Sequence, residues 1–143
     1  MNKVIVLSWK KSVNLESEIM RGKILAVDNE SDQLALVDCF LSEEGFEIDT
    51  APDGLEALQK VEDYRPDLIL VDACMPKMSG FTFCETIRKN ADTAAIPIIM
   101  LTGLSSQLAR LNGLAHGANA FLLKPFLPNE LLAKINELLP APQ

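Results

Sequence analysis

The stretch LILVDACMPKMSG, Leu68 to Gly80, decides the fold. Its first four residues, Leu68 to Val71, are apolar without alternation, and the run stops on Asp72. A run this short, lying just beyond a helix-breaking Pro66, predicts a strand buried on both faces. Such strands belong to parallel sheets sandwiched by helices, and there ligands gather beyond the carboxyl ends of the strands. Asp72 is therefore the first candidate for a site.

Working outward, the chain alternates between strand and helix. Upstream, Lys23 to Val27 is a short apolar strand ending on Asp28 and Asn29. From Asp32 to Glu43 the period becomes helical: Leu34, Val37 and Leu41 share a face, with Leu36 and Phe40 beside them. Gly45 is a left-handed stop. Phe46 to Ala51 reads as a weaker strand. Asp53 with Glu56 resembles a capping box ahead of a helical stripe of Leu55, Leu58 and Val61. Downstream, Phe81 to Asn90 is helical, Ile96 to Leu101 is a buried strand, and Leu104 to His116 is a weakly amphipathic helix. Ala120 to Leu123 is a fifth strand. Pro128 fits a first helical turn, and Leu131, Leu132, Ile135, Leu138 and Leu139 form the last stripe. Five β-α units with right-handed crossovers leave few topologies.

The residues after the strands carry the chemistry. Strand one ends on Asp28 and Asn29, strand three on Asp72, strand four on Thr102 and Gly103, strand five on Lys124 and Pro125. An acid after a strand is often no more than a helix cap. Caps do not explain Lys124, which has no acceptor to offer a helix N-terminus. Two carboxylates, an amide, a hydroxyl and an amine converge on one rim. Oxygen ligands with one or two carboxylates suit Mg²⁺. A carboxylate can attack phosphorus to give an aspartyl phosphate, whose oxygens a cation, a hydroxyl and an ammonium would neutralise. Asp72, on the central strand, is the natural nucleophile.

From about Arg21 to Leu139 the chain resembles the receiver domains of two-component response regulators. The carrying stretches are ILAVDNE, LILVDACMPKMSG, IIMLTG and AFLLKPF. The resemblance implies a flavodoxin-like α/β sheet in the order 2-1-3-4-5. It implies Asp72 as phosphoacceptor, supplied by a sensor histidine kinase or a histidine phosphotransfer protein, with Thr102 and Lys124 binding the phosphoryl group. Mg²⁺ would be held by Asp28, Asp72, the position of Asn29 and the backbone carbonyl of Cys74. Thr102 and Phe121 would form the switch, and the Lys124–Pro125 bond is commonly cis in the family. Output would pass through the face of the fourth helix, fifth strand and fifth helix. Such a domain is no enzyme in the ordinary sense: it promotes only its own phosphorylation and dephosphorylation.

Asn29 departs from the family pattern, in which two acids end the first strand. A neutral amide can still coordinate a hard cation, but more weakly. Two other readings stay open. One is a pseudo-receiver, a binding module with little phosphorylation, which Asn29 favours and Asp72, Thr102 and Lys124 oppose. The other is an aspartate-dependent phosphohydrolase, which usually has a second acid two residues after the nucleophile, where this chain has Cys74.

Composition bounds the rest. The chain of 143 residues is 48% hydrophobic, with a net charge of −7. That composition argues for one folded domain and against direct grip on a nucleic-acid backbone. No apolar run approaches the length of a membrane span, and the run after Lys3 is too short for a secretory signal. Cys39, Cys74 and Cys84 show no C-x-x-C spacing, which suggests reduced thiols and a cytoplasmic setting. Cys39 and Cys84 are expected to pack within helices. His116 reads as a surface or capping residue. Residues 1–20 form an extension outside the resemblance: VIVLSW could add an edge strand, bind a partner or be a loosely held tail. The domain would occupy 21–139, with 140–143 a proline-rich tail, either ending a stand-alone receiver or entering a linker.

Overall fold

The structure, a computed structural model, describes residues 21–103 and 107–139. Five parallel strands form one sheet: β1 (Lys23–Val27), β2 (Glu47–Ala51), β3 (Leu68–Asp72), β4 (Ile98–Thr102) and β5 (Ala120–Leu123). Their order is β2-β1-β3-β4-β5, as the resemblance implies. Five helices alternate with them: α1 (Ser31–Glu43), α2 (Gly54–Tyr64), α3 (Gly80–Lys89), α4 (Gln107–Ala115) and α5 (Pro128–Leu138).

The unalternated strands are explained by two apolar layers. Ile24, Ala26, Leu68, Leu70, Ile99, Leu101 and Leu122 face Leu41 of α1 and Leu131 and Ile135 of α5. The residues between them, Leu25, Val27, Ile69, Val71, Ile98 and Met100, face Ala57 and Val61 of α2 and Phe83, Cys84 and Ile87 of α3. The period-2 direction of side chains along a strand makes this partition automatic. α4 lies over the second layer, where a Cβ added to Gly113 would come within 3.2 Å of Met100 Sδ and 3.4 Å of the Phe121 ring.

Local chemistry sets the helix ends. Asp53 accepts from the Glu56 N–H at 2.8 Å and caps α2, as expected. Pro128 opens α5. Some details differ from the sequence reading. Leu55 is exposed, because the face of α2 that meets the sheet is Gly54, Ala57 and Val61. Cys39 is exposed on α1, so only Cys84 of the two helical cysteines packs in the core. β4 begins at Ile98 rather than Ile96, since Pro97 has no N–H to give the sheet. Of the segment expected to form the fourth helix, 104–106 lie outside the described residues, as do 1–20 and 140–143.

The end of the sheet away from the strand termini is tied by Arg88. Its guanidinium donates to the carbonyls of Gly117 at 2.9 Å, Ala94 at 3.1 Å and Ile96 at 2.7 Å, and to Asn119 Oδ1 at 2.8 Å. Asn119 Oδ1 also accepts from the Ile98 N–H at 2.8 Å, so the entries to β4 and β5 are pinned together. His116, expected at the surface or as a cap, is half-buried and takes the capping role at the end of α4. Its Nδ1–H donates to the Asn112 carbonyl at 2.7 Å, and its Nε2 lies 3.7 Å from Glu85 on α3.

Candidate functional site

Strand register builds the rim. Val27 is level with Val71, Asp72 with Leu101, and Thr102 with Leu123. Three backbone bonds carry the ladder a step further: Asp28 N–H to Ala51 O at 3.1 Å, Ala73 N–H to Leu101 O at 2.8 Å, and Lys124 N–H to Thr102 O at 2.7 Å. The residues that end four strands are thereby held at one height.

Parity then sorts them. Asp28, Asp72 and Lys124 fall in step with Ala26, Leu70 and Leu122, the layer that faces α1 and α5. Thr102 falls in step with Met100, the layer that faces α2 and α3 and against which Phe121 packs. The acids and the amine thus share one side of the rim, and the two expected switch residues share the other, under α4.

The acidic side is joined by one cation. Lys124 Nζ lies 2.7 Å from Asp28 Oδ2 and 3.5 Å from Asp72 Oδ1. Asp28 is 5% exposed and Asp72 7%. Two buried carboxylates on adjacent strands would repel without the ammonium between them. Asp28 also holds the start of α1: its Oδ1 accepts from the Glu30 N–H at 3.0 Å, a local turn bond. Burial pushes the Asp72 carboxyl above its ordinary range, and the Asp28 charge adds to this; Lys124 and the Cys74 N–H oppose it. Burial works against the charge on Lys124, but the hydrogen bond and charge of Asp28, with Asp72 behind, outweigh it and raise its pKa.

Thr102 is fully buried. Phe121 is half-buried against the core, beside Gly113 of α4. The Lys124–Pro125 peptide is cis. Cys74 is exposed, and the structure holds its backbone next to Asp72 through the bond just described. Asn29 is exposed beside Asp28, at a shallow depression shared with Glu30, Ser31, Asp32 and Gln33.

Among the described residues no group of three or more His, Cys, Asp or Glu could hold a metal ion. The donors that do meet, two carboxylates with neutral oxygens beside them, fit Mg²⁺, which keeps several waters and takes only one or two carboxylates.

Sequence reasoning assigned no role to Gly80, the first residue of α3. Its N–H donates to Ala73 O at 2.9 Å. A Cβ there would overlap the Asp72 carbonyl oxygen and lie 2.9 Å from Ala73 Cα. The obstacle is backbone, which cannot step aside. A glycine opening a helix just after a strand-end acid was the available signal. Gly80→Ala is expected to cost about 1–3 kcal/mol through overpacking and to shift the Asp72 backbone. Urea unfolding of the two proteins checks this; an unchanged midpoint would contradict the close approach.

The response regulator receiver domain family matches residues 24–136. The chain is 38% identical over 120 residues to the alkaline phosphatase synthesis transcriptional regulatory protein PhoP of Bacillus subtilis, covering 84% of this chain and 49% of that protein. It thus spans about half the length of the curated relatives it matches. The chemotaxis response regulator CheY4 of Vibrio cholerae superposes with a TM-score of 0.78 at 39% identity, over 82% of this chain and 98% of that one. The receiver domain of a sensor histidine kinase from Pseudomonas aeruginosa, whose structure has a magnesium ion coordinated in the active site cleft, gives 0.76 at 30% identity, over 82% and 97%. With the strand order, the joined acids and lysine, and the match over most of its length, the chain belongs to the response regulator receiver domain family.

Proposed function

We propose that the domain is a phosphorylation switch in which Asp72 accepts a phosphoryl group from a phosphohistidine of a sensor histidine kinase or histidine phosphotransfer protein. The observation that carries this is the placement of Lys124 Nζ between Asp28 and Asp72. An Asp72 oxygen bonds to phosphorus as the phosphorus–nitrogen bond of the donor breaks, and the imidazole leaves with the electron pair. Lys124 and the Cys74 N–H favour the anionic form of Asp72 needed for attack. Charge then grows on the phosphoryl oxygens, and the Lys124 ammonium and the Thr102 hydroxyl are the groups of this chain placed at the same rim to stabilise it. A bound Mg²⁺, held by Asp28, Asp72, the Cys74 carbonyl and the Asn29 amide oxygen, would supply further neutralisation of those oxygens. Turnover of this kind is limited to the domain's own phosphate.

Thr102 and Phe121 share the layer under α4, so a shift of Thr102 toward a phosphorylated Asp72 is passed to Phe121 and Gly113. The output face follows from this: α4, β5 and α5, with a depression of about 410 Å³ lined by Gln107, Arg110, Phe121, Pro125, Glu130 and Lys134. The partner there is a protein. A cytoplasmic setting accords with the reduced cysteines, and no described helix is long and apolar enough to cross a membrane. Labelling by a small phosphodonor such as acetyl phosphate, with and without Mg²⁺, tests the proposal. Mg²⁺-dependent, base-labile phosphate on Asp72 is expected; no labelling at saturating Mg²⁺ would make the domain a binding module that does not cycle.

Asn29 sets the strength of the cation site. Two unit charges about 4 Å apart near a protein surface interact by about 4 kcal/mol. Lys124 and solvent screen part of it, so Asn29→Asp is expected to tighten Mg²⁺ binding roughly tenfold, or about 1.4 kcal/mol. In chelator the added carboxylate repels Asp28 and Asp72 and lowers Tm; added Mg²⁺ then raises Tm more than in the parent, because stabilisation grows with the ratio of concentration to Kd. Parallel Mg²⁺ titrations followed by thermal melts decide it, and equal affinities would remove Asn29 from the ligand set.

A further inference from the structure

A second surface is built beside the site. Between α1 and the start of α5 runs a groove of about 630 Å³, lined by Leu36, Val37, Cys39, Phe40, Phe126 and Leu131, with Glu30 and Glu43 also on its wall. Leu36 stands 66% exposed in it, and with Val37, Phe40 and Phe126 it makes an apolar patch rather than a lone exposed side chain. The described chain starts at the same seam. The Arg21 N–H donates to Gly45 O at 3.1 Å, and its guanidinium bonds Asn136 on α5 and reaches the Glu44 carbonyl at the end of α1. The guanidinium also stacks on Phe46 at 4.5 Å. Arg21, the first described residue, therefore sits between the ends of the two helices that frame the groove.

We propose that the occupant is this chain's own N-terminal segment, with Val4 to Trp9 lying in the groove. Length permits it. Alongside α1 the groove extends about 20 Å at helical rise, while the twelve steps from Trp9 to Arg21 span about 18 Å as helix and about 40 Å extended. Chemistry favours it: Val4, Ile5, Val6, Leu7 and Trp9 are apolar like the groove floor. Charge favours it too. Residues 1–20 carry Lys3, Lys10 and Lys11 against Glu16 and Glu18, whereas the whole chain is at −7, and the groove wall offers Glu30 and Glu43. Lys124 and Pro125 line the same groove, so the docked segment lies beside the phosphorylation rim.

Trp9 is the only tryptophan in the chain and reports on the segment directly. In the full chain its emission is expected to be blue-shifted and shielded from acrylamide. Leu36→Lys, at an exposed position, removes an apolar contact and repels the lysines; Ile5→Asp acts from the other side. Both should move the emission to the red and open Trp9 to quenching, with far-UV circular dichroism unchanged. In a Cys74→Ser background, Ser8→Cys should form an intramolecular disulfide with Cys39 on oxidation. Solvent-like emission in the parent would overturn the proposal. So would a shielded Trp9 indifferent to Leu36→Lys, as in pairing with a sheet edge. A shift that depends on protein concentration, or a Ser8→Cys link found only between molecules, would mean that a second copy fills the groove and would overturn it equally.

Discussion

Asp72→Asn is expected to lose all phosphoryl labelling and, at neutral pH, to unfold later than the parent. The first effect follows because an amide oxygen is not a nucleophile toward phosphorus, and because no other described carboxylate is bridged to Asp28 through Lys124. The second follows from the raised pKa. Burial makes the native state hold the Asp72 proton more tightly than the unfolded chain, whose value is 3.8. The stability associated with the protonated form is then fully present below 3.8 and is lost as pH rises through the higher folded value. At pH 7 the ionised side chain is a cost that the neutral amide removes; near pH 3 both proteins bear a neutral group there and the difference closes. Phosphorylation assays and urea melts at the two pH values check the pair of effects. Normal labelling of the variant would show that another residue is the acceptor, and a variant less stable than the parent at pH 7 would contradict the sign.

Lys124→Met is expected to have the largest effect on stability. It takes the cation from between two buried carboxylates and leaves Asp28 without the partner at 2.7 Å. Breaking a buried pair by removing one member costs about 3–5 kcal/mol, and the low end suits a rim that water can reach. Replacing both charges would be far milder, since the penalty lies in the carboxylates left behind. The deficit should shrink in acid as Asp28 and Asp72 take up protons. Mg²⁺ should restore more stability to the variant than to the parent, by supplying a different cation to the same oxygens. Labelling should fall steeply even where the fold persists. Equal denaturation midpoints at neutral pH, with chelator present, would mean that the ammonium does not hold the acids together.

The sheet was legible in the sequence because its central strands are buried on both sides. LILV and IPIIML read as buried runs and are so, and their order with the helices leaves a parallel sandwich; AFLL, equally apolar, forms an edge strand on which Leu123 is 44% exposed. The rim was legible because function put unlike groups at like positions: Asp28, Asp72, Thr102 and Lys124 occupy strand ends where register alone aligns them. What stayed hidden depends on rotation and close approach. Periodicity placed apolar residues on α1 and α2 but did not show that Leu36 and Leu55 point to solvent while Ala57 meets the sheet. A helix this close to a sheet takes small residues where the backbones approach, and hydrophobicity does not record that. Gly80 is the same case at shorter range. The partition of Asp28 and Asp72 from Thr102 and Phe121 onto opposite sides of the rim is implicit in parity, yet needed the observed strand bounds to become visible.

The Arg88 network has no motif because it speaks to carbonyls, and every residue has one. Its consequence is mechanical. Four guanidinium bonds, to Ala94, Ile96, Gly117 and Asn119, make one end of the sheet a closed hinge-plate, where a displaced strand would tear charge-assisted bonds. At the opposite end β5 is joined to β4 by the Lys124–Thr102 backbone bond, and to Asp28 and Asp72 by the Lys124 ammonium. Under the proposed switch, a phosphoryl group on Asp72 would compete for that ammonium while the entries of β4 and β5 stay clamped at Arg88. The two strands would then act as levers held at one end, with the travel appearing where α4 leans on Phe121.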